Sequence, residues 1–214
     1  MLDTQALMSI SPIIPVVTIH DVSDAVALAE ALYSGGIHIL ELTLRTPSAL
    51  EALAKIAKEV PHMCIGAGTV CNETQFKHAI DAGAQFVFSP GITPELIDIA
   101  TKTNHPFIPG VATPSELMMA LNAGFHHCKL FPASVVGGIP LLKAFAGPFG
   151  DAKFCPTGGV NLDNMNDYLA LPNVVAVGGT WLSNAKLIAN KDFEAITNLS
   201  KQSLQSIKKK EEPL

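Results

Sequence analysis

The chain reads as an α/β protein, a single (β/α)8 TIM barrel domain over residues 1–214 with an extra N-terminal helix. Three observations predict it. Short apolar, β-branched runs alternate with amphipathic stretches of about ten to fifteen residues, the pattern of a parallel sheet. Eight such runs occur, and closing eight strands on themselves leaves no unpaired edge. The first run is followed by His20-Asp21-Val22-Ser23, where an open, doubly wound sheet would carry a glycine-rich turn. That open sheet is the competing arrangement.

The elements follow in order. Residues 3–10 form the extra helix. The strands are expected at 13–19, 38–44, 63–70, 85–90, 106–111, 126–132, 153–159 and 174–181. A helix is expected over 46–60, where Leu50, Leu53, Ile56, Ala57 and Val60 fall on one face. Helix starts repeat a Thr-Pro signal at Thr46-Pro47, Thr93-Pro94 and Thr113-Pro114. In each, threonine suits the N-cap and proline the first helical position; Glu116 completes a capping box with Thr113. Helix ends carry glycine at Gly35-Gly36, Gly83 and Gly124, where a left-handed cap is wanted. Residues 192–210 read as a last outer helix.

With 214 residues, 48% apolar and 15% charged, the chain is long enough for one well-filled core and short for two. Its formal net charge is −5. The basic run Lys208-Lys209-Lys210 is followed at once by Glu211-Glu212, which reads as a solvated helix end and gives no reason to expect a nucleic-acid partner. No apolar stretch is long enough to cross a membrane, and the N-terminus lacks a basic segment followed by an apolar core, so a cytoplasmic location is expected. Cys64, Cys71, Cys128 and Cys155 form no CxxC pair and read as reduced, structural thiols. His126-His127-Cys128 is contiguous, and alternate strand positions point to opposite faces, so no metal set is expected.

The chemistry should gather at the C-terminal ends of the strands. Lys129, in the run Cys128-Lys129-Leu130-Phe131-Pro132, is the most informative residue. Burial disfavours the ammonium form of a lysine, and a neutral amine can form a Schiff base with a ketone; the alternative is a packed stem with its head in water. Glu41, Thr43 and Arg45 share one face of strand two by the two-residue period, which brings a carboxylate and a guanidinium into the mouth or makes them a structural ion pair. Strand three ends Gly66-Ala67-Gly68-Thr69 and strand four ends Ser89-Pro90-Gly91. The turns Thr157-Gly158-Gly159 and Gly178-Gly179-Thr180 stand after the last two strands, where barrels of this kind bind phosphate, helped by a following helix N-terminus.

Together, Glu41-Leu42-Thr43-Leu44-Arg45-Thr46, Gly66-Ala67-Gly68-Thr69-Val70, Ser89-Pro90-Gly91, Lys129-Leu130-Phe131-Pro132-Ala133 and Phe154-Cys155-Pro156-Thr157-Gly158-Gly159-Val160 resemble the signature blocks of bacterial 2-keto-3-deoxy-6-phosphogluconate (KDPG) and 4-hydroxy-2-oxoglutarate (KHG) aldolases. The resemblance runs in order from about residue 10 to about residue 200. It implies a class I aldolase on a (β/α)8 barrel, a homotrimer that needs no metal or other cofactor and acts on a phosphorylated 2-keto-3-deoxy sugar acid, releasing pyruvate. Position by position it implies Lys129 as the Schiff-base residue and Glu41 as the proton-transfer residue. Arg45 and Thr69 would hold the substrate carboxylate, and Pro90 and Phe131 would line the pocket. Gly158, Gly159, Gly179 and Thr180 would hold the phosphate. Ser134 stands where the family often has an acidic residue, and Leu130 where phenylalanine is common; both bear on pocket shape. The alternatives are another phosphosugar isomerase or epimerase, the same chemistry on the galactonate epimer or an unphosphorylated acid, and a non-catalytic sugar-phosphate binder.

Overall fold

The computed structural model describes residues 3–207. Strands and helices alternate as the pattern requires. The strands are β1 (Ile13–Val17), β2 (Ile39–Thr43), β3 (Cys64–Gly68), β4 (Val87–Phe88), β5 (Phe107–Ile108), β6 (Gly110–Val111), β7 (His127–Leu130), β8 (Lys153–Pro156) and β9 (Val177–Gly179). The helices are α1 (Thr4–Met8), α2 (Ala25–Ser34), α3 (Ala49–Glu59), α4 (Glu73–Asp81), α5 (Pro94–Thr103), α6 (Pro114–Asn122), α7 (Gly138–Ala146), α8 (Met165–Leu169), α9 (Ala185–Ala189) and α10 (Phe193–Gln205). All pairing is parallel. One ladder runs β5-β4-β3-β2-β1-β9 and the other β6-β7-β8. Isolated bridges connect Phe154 of β8 to Val174, ahead of β9, and Thr157, just after β8, to Gly178 of β9.

The strand expected over 106–111 is two, β5 and β6, because Pro109 lacks the N–H a ladder needs. Its carbonyl still accepts from the Lys129 N–H at 2.8 Å. The other strands are shorter than expected at one or both ends, where turns begin. The helix expected from Thr46 starts at Ala49, and its N-cap Ser48 makes no capping bond. The hydroxyls of Thr46 and Ser48 both donate to the Ile19 carbonyl instead, tying the loop after β2 to the end of β1. Thr93 and Thr113 do cap their helices, Thr113 within a full capping box. Gly36, Gly83 and Gly124 have φ of +91°, +95° and +87°, the left-handed helix ends that only glycine adopts cheaply. Of the helix expected over 192–210, α10 covers Phe193–Gln205, and the 208–210 lysine run lies outside the described residues.

Alternate residues of each strand face opposite ways and build two cores. An outer core joins the strands to the helices. An inner cluster gathers Ile14, Ile39, Cys64, Phe86, Phe88, Ile108, Cys155 and Ala176, closed at one end by Leu7 and Met8 of α1. No described helix is long and apolar enough to cross a membrane.

Cys64, Cys128 and Cys155 are buried and Cys71 is exposed; none is paired. Burial pushes the Cys64 thiol up to about 11 and those of Cys128 and Cys155 up to about 12. The thiolate is the reactive form. At pH 9, iodoacetamide should therefore modify Cys71 alone in the native protein and all four cysteines after urea unfolding, read by intact mass. Ready native alkylation at Cys155 would contradict this packing.

Candidate active site

Lys129 lies on β7 and Glu41 on β2, and their side chains meet across the inner space. The Lys129 ammonium donates to Glu41 Oε1 at 2.9 Å and Oε2 at 3.1 Å. The side chains are only 4% and 1% exposed, so neither group relies on water for its partner. A buried pair repays its desolvation only when geometry is good and hydrogen bonds are made; a lysine centred on both carboxylate oxygens meets that condition. The rings of Phe88 and Phe131 lie 5.2 and 5.4 Å from Lys129 Nζ, close enough for cation–π attraction.

Glycine makes the room. A Cβ on Gly68 of β3 would occupy the place of the Glu41 carboxylate, and one on Gly66 would enter the Phe86 ring. The two glycines of the Gly66-Ala67-Gly68 run thus admit two large side chains of neighbouring strands. Cys155, the register partner of Lys129 on β8, fills the layer beside it.

The expected site residues divide by position. Glu41 and Thr43 share the inner face of β2, but the strand ends at Thr43. The turn carries Arg45 to an exposed position, where its Nε donates to Thr69 Oγ1 at 3.0 Å. Glu41 therefore pairs with Lys129, and the Glu41–Arg45 ion pair is not formed. Thr69 has φ +60°, an uncommon backbone state for a β-branched residue, which sets its hydroxyl toward Arg45. Half-buried Pro90 packs its backbone where a Cβ on Gly110 would lie. Half-buried Phe131 reaches Lys129 directly.

Gly158 and Gly159 have φ of +95° and +82°, conformations that require glycine. They follow β8, while Gly179 ends β9 and is followed by Thr180. The Thr157–Gly178 bridge makes these two turns neighbours. The expected helix N-termini differ: a three-residue 3-10 turn, Trp181–Ser183, follows Thr180, and α8 starts only at Met165. Asn161 and Asn164 fold the intervening chain back, the Asn164 amide donating to the Gly159 carbonyl at 2.9 Å. The Ser134 N–H donates to the Gly158 carbonyl at 3.0 Å, so the loop after β7 lies against the same turn.

A cavity of about 780 Å3 opens beside β1 and β9, lined by Val16, Thr18, His20, Thr180, Ser183 and Lys186 among others. Val16 is the register partner of Glu41, although neither Glu41 nor Lys129 lines this space. Two further cavities, about 500 and 380 Å3, lie at the opposite strand ends near His127 and His105. Among the described residues no cluster of three His, Cys, Asp or Glu could hold a metal. Phe88 and Thr18 escaped the sequence reading. The alternation Phe86, Phe88, Pro90 carried the signal for the first, and the two-residue step from Val16 for the second.

The arrangement offers a buried amine, a carboxylate in contact with it, an exposed guanidinium nearby in sequence, and two glycine turns brought together by the Thr157–Gly178 bridge. The sequence profile of the family described as KDPG and KHG aldolase matches residues 4–199. The chain is 46% identical over 200 residues to the 2-dehydro-3-deoxy-phosphogluconate aldolase of Dickeya dadantii, covering 94% of each chain. It is 43% identical over 204 residues to the KHG/KDPG aldolase of Escherichia coli K12, covering 95% of this chain and 96% of that one. Among solved structures, the KDPG aldolase of Legionella pneumophila, with pyruvate captured at low pH as a covalent carbinolamine intermediate, superposes with TM-score 0.93 at 48% identity over 95% of this chain and 98% of that one.

The coupling of Lys129 and Glu41 is measurable without substrate. Lys129→Met leaves a buried carboxylate unpaired and should cost about 3–5 kcal/mol of unfolding free energy. Adding Glu41→Gln should recover part of that loss, so the double variant is more stable than the sum of the single changes predicts. Urea unfolding of the four proteins gives the answer; strict additivity would mean the two side chains do not interact.

Proposed function

The chain belongs to the KDPG and KHG aldolase family, and on that premise we propose that it is a class I aldolase acting through an imine on Lys129. It cleaves 2-keto-3-deoxy-6-phosphogluconate to pyruvate and glyceraldehyde 3-phosphate, and 4-hydroxy-2-oxoglutarate to pyruvate and glyoxylate. The observation that carries the reading is the Lys129–Glu41 contact at 2.9 and 3.1 Å inside an apolar layer. The covalent carbinolamine of the similar Legionella protein supports the same nucleophile chemistry here.

In this reading Lys129, when protonated, passes a proton to Glu41 and its free amine adds to the C2 ketone. Glu41 returns the proton to the carbinolamine hydroxyl, which leaves as water and yields a protonated imine. The imine accepts the electrons of the C3–C4 bond as it breaks. Glu41 takes the proton of the C4 hydroxyl, which becomes the aldehyde, and the remaining fragment is an enamine. Protonation at C3 by Glu41 and hydrolysis of the imine release pyruvate and restore Lys129. The imine serves as the electron sink, so no metal or other cofactor enters the scheme. One carboxylate serves every proton transfer, the kind of help worth about 10²–10⁴-fold in rate.

Arg45 and Thr69, already hydrogen-bonded to each other, hold the pyruvyl carboxylate, with the planar guanidinium gripping both oxygens. Phe131 and Pro90 bound the pocket on the side of β7 and β4. Gly158, Gly159, Gly179 and Thr180 receive the phosphate, a role supported by the two adjacent turns and their left-handed glycines. The two ladders are arcs of one closed (β/α)8 barrel comprising the whole chain as a single domain; the bridges from β8 toward β9 and the reach of Lys129 across to β2 support closure. The protein acts as a homotrimer in the cytoplasm, and the exposed Met118, Met119 and Val135 provide apolar surface for contact between copies.

Pyruvate release from the phosphorylated substrate tests the assignment. Lys129→Ala should abolish turnover. Glu41→Gln should lower kcat by about 10²–10⁴-fold with a smaller change in KM. Arg45→Ala should mainly raise KM and lower kcat to a lesser degree, since a loosely held ketone no longer faces the amine. Near-normal kcat in Glu41→Gln would remove Glu41 from proton transfer.

A further inference from the structure

The proton bookkeeping at the end of β1 points to a determinant of substrate choice. Thr43, buried on the inner face of β2, contacts the Val17 carbonyl at 2.9 Å. A carbonyl has no proton, so Thr43 donates, and a hydroxyl has only one proton to give. Thr18 Oγ1 lies 2.9 Å from Thr43 Oγ1. With the Thr43 proton already committed, Thr18 must be the donor in that contact. Its own proton is then spent as well. Thr18 lines the cavity of about 780 Å3, and any further hydrogen bond its oxygen makes must be one it accepts.

This acceptor has a defined place. Thr18 stands two residues beyond Val16, the register partner of Glu41, and so one layer nearer the mouth than the buried pair. Thr180 lines the same cavity and belongs to β9's end, the other neighbour of β1. Thr18 therefore lies between the group that handles the C4 proton and the turns that receive the phosphate. Resting on the function proposed above, we infer that Thr18 accepts a hydrogen bond from the C5 hydroxyl of the phosphorylated substrate and so favours it over 4-hydroxy-2-oxoglutarate. The latter carries a carboxylate at C5. A carboxylate supplies no proton, and facing a fixed acceptor it gains nothing from Thr18. The threonine is a specificity-determining residue, outside the proton-transfer steps.

The test is the ratio of kcat/KM on the two substrates. Thr18→Val keeps the shape, removes the hydroxyl and leaves Thr43 bonded to the Val17 carbonyl. It should lower kcat/KM for the phosphorylated substrate about tenfold, the scale of one lost hydrogen bond to a substrate hydroxyl. Activity on 4-hydroxy-2-oxoglutarate should stay within about twofold or rise. Thr18→Ser, which retains the hydroxyl, should keep the wild-type ratio. An equal loss on both substrates, or a Thr18→Ser ratio matching Thr18→Val, overturns the inference while leaving the aldolase reading intact. If Thr18→Val does not fold, Thr18→Ala read on the same pair of substrates decides by the same criteria. Wild-type protein that releases pyruvate from neither substrate overturns both the aldolase reading and the role of Thr18.

Discussion

A charged pair held out of water governs the architecture around it. Lys129 and Glu41 come from strands far apart in sequence and meet beside an inner cluster that is apolar throughout, rich in phenylalanine, isoleucine and cysteine. Neither group could be buried alone without a large desolvation cost. Together they satisfy each other, and their neighbours must leave room for both. That requirement explains Gly68, whose missing side chain is occupied by the Glu41 carboxylate, and Gly66, which admits the Phe86 ring beneath it. It also fits Cys155, a small side chain whose thiol burial keeps neutral beside the pair.

The polar groups around this centre are graded toward the mouth. Below the pair the inner layer is apolar and closed by α1. At the pair's level two charges cancel. Above it stand Thr43, which donates to the Val17 carbonyl, and Thr18, which donates to Thr43, and beyond them Arg45 with Thr69 on one side and the glycine turns of β8 and β9 on the other. In the proposed reaction the substrate spans that upper layer, with its carboxylate toward β2 and β3 and its phosphate toward β8 and β9. The imine then forms midway, against Lys129. In that reading the Arg45–Thr69 side of the rim holds the pyruvyl end, while Thr18 and the glycine turns sort the other half of the substrate.

Much of this was legible in the chain. The alternation of β-branched runs with amphipathic stretches located each strand, and Thr113 with Glu116 marked a helix start accurately because a capping box is a local interaction. What failed was set by long-range competition. Thr46 looks like a cap, yet its hydroxyl is claimed by the Ile19 carbonyl from the neighbouring loop. Pro109 divides a run that hydropathy reads as continuous, because hydropathy does not count backbone donors. Arg45 shares the period of Glu41 but leaves the face when β2 ends at Thr43. The Lys129–Glu41 contact itself spans 88 residues; the residue types announced chemistry, and only the fold brings them within hydrogen-bonding distance. Thr18 was invisible for the same reason, since its meaning depends on which partner owns the proton.

Reductive trapping is the most direct measurement of the central claim that Lys129 is the imine-forming residue. The protein is incubated with pyruvate, treated with borohydride, digested and mapped by mass spectrometry. The account predicts one covalent adduct per chain, on the peptide containing Lys129, absent without pyruvate and absent in Lys129→Arg. An adduct on another lysine, or none in a protein that still releases pyruvate from its substrate, would contradict it.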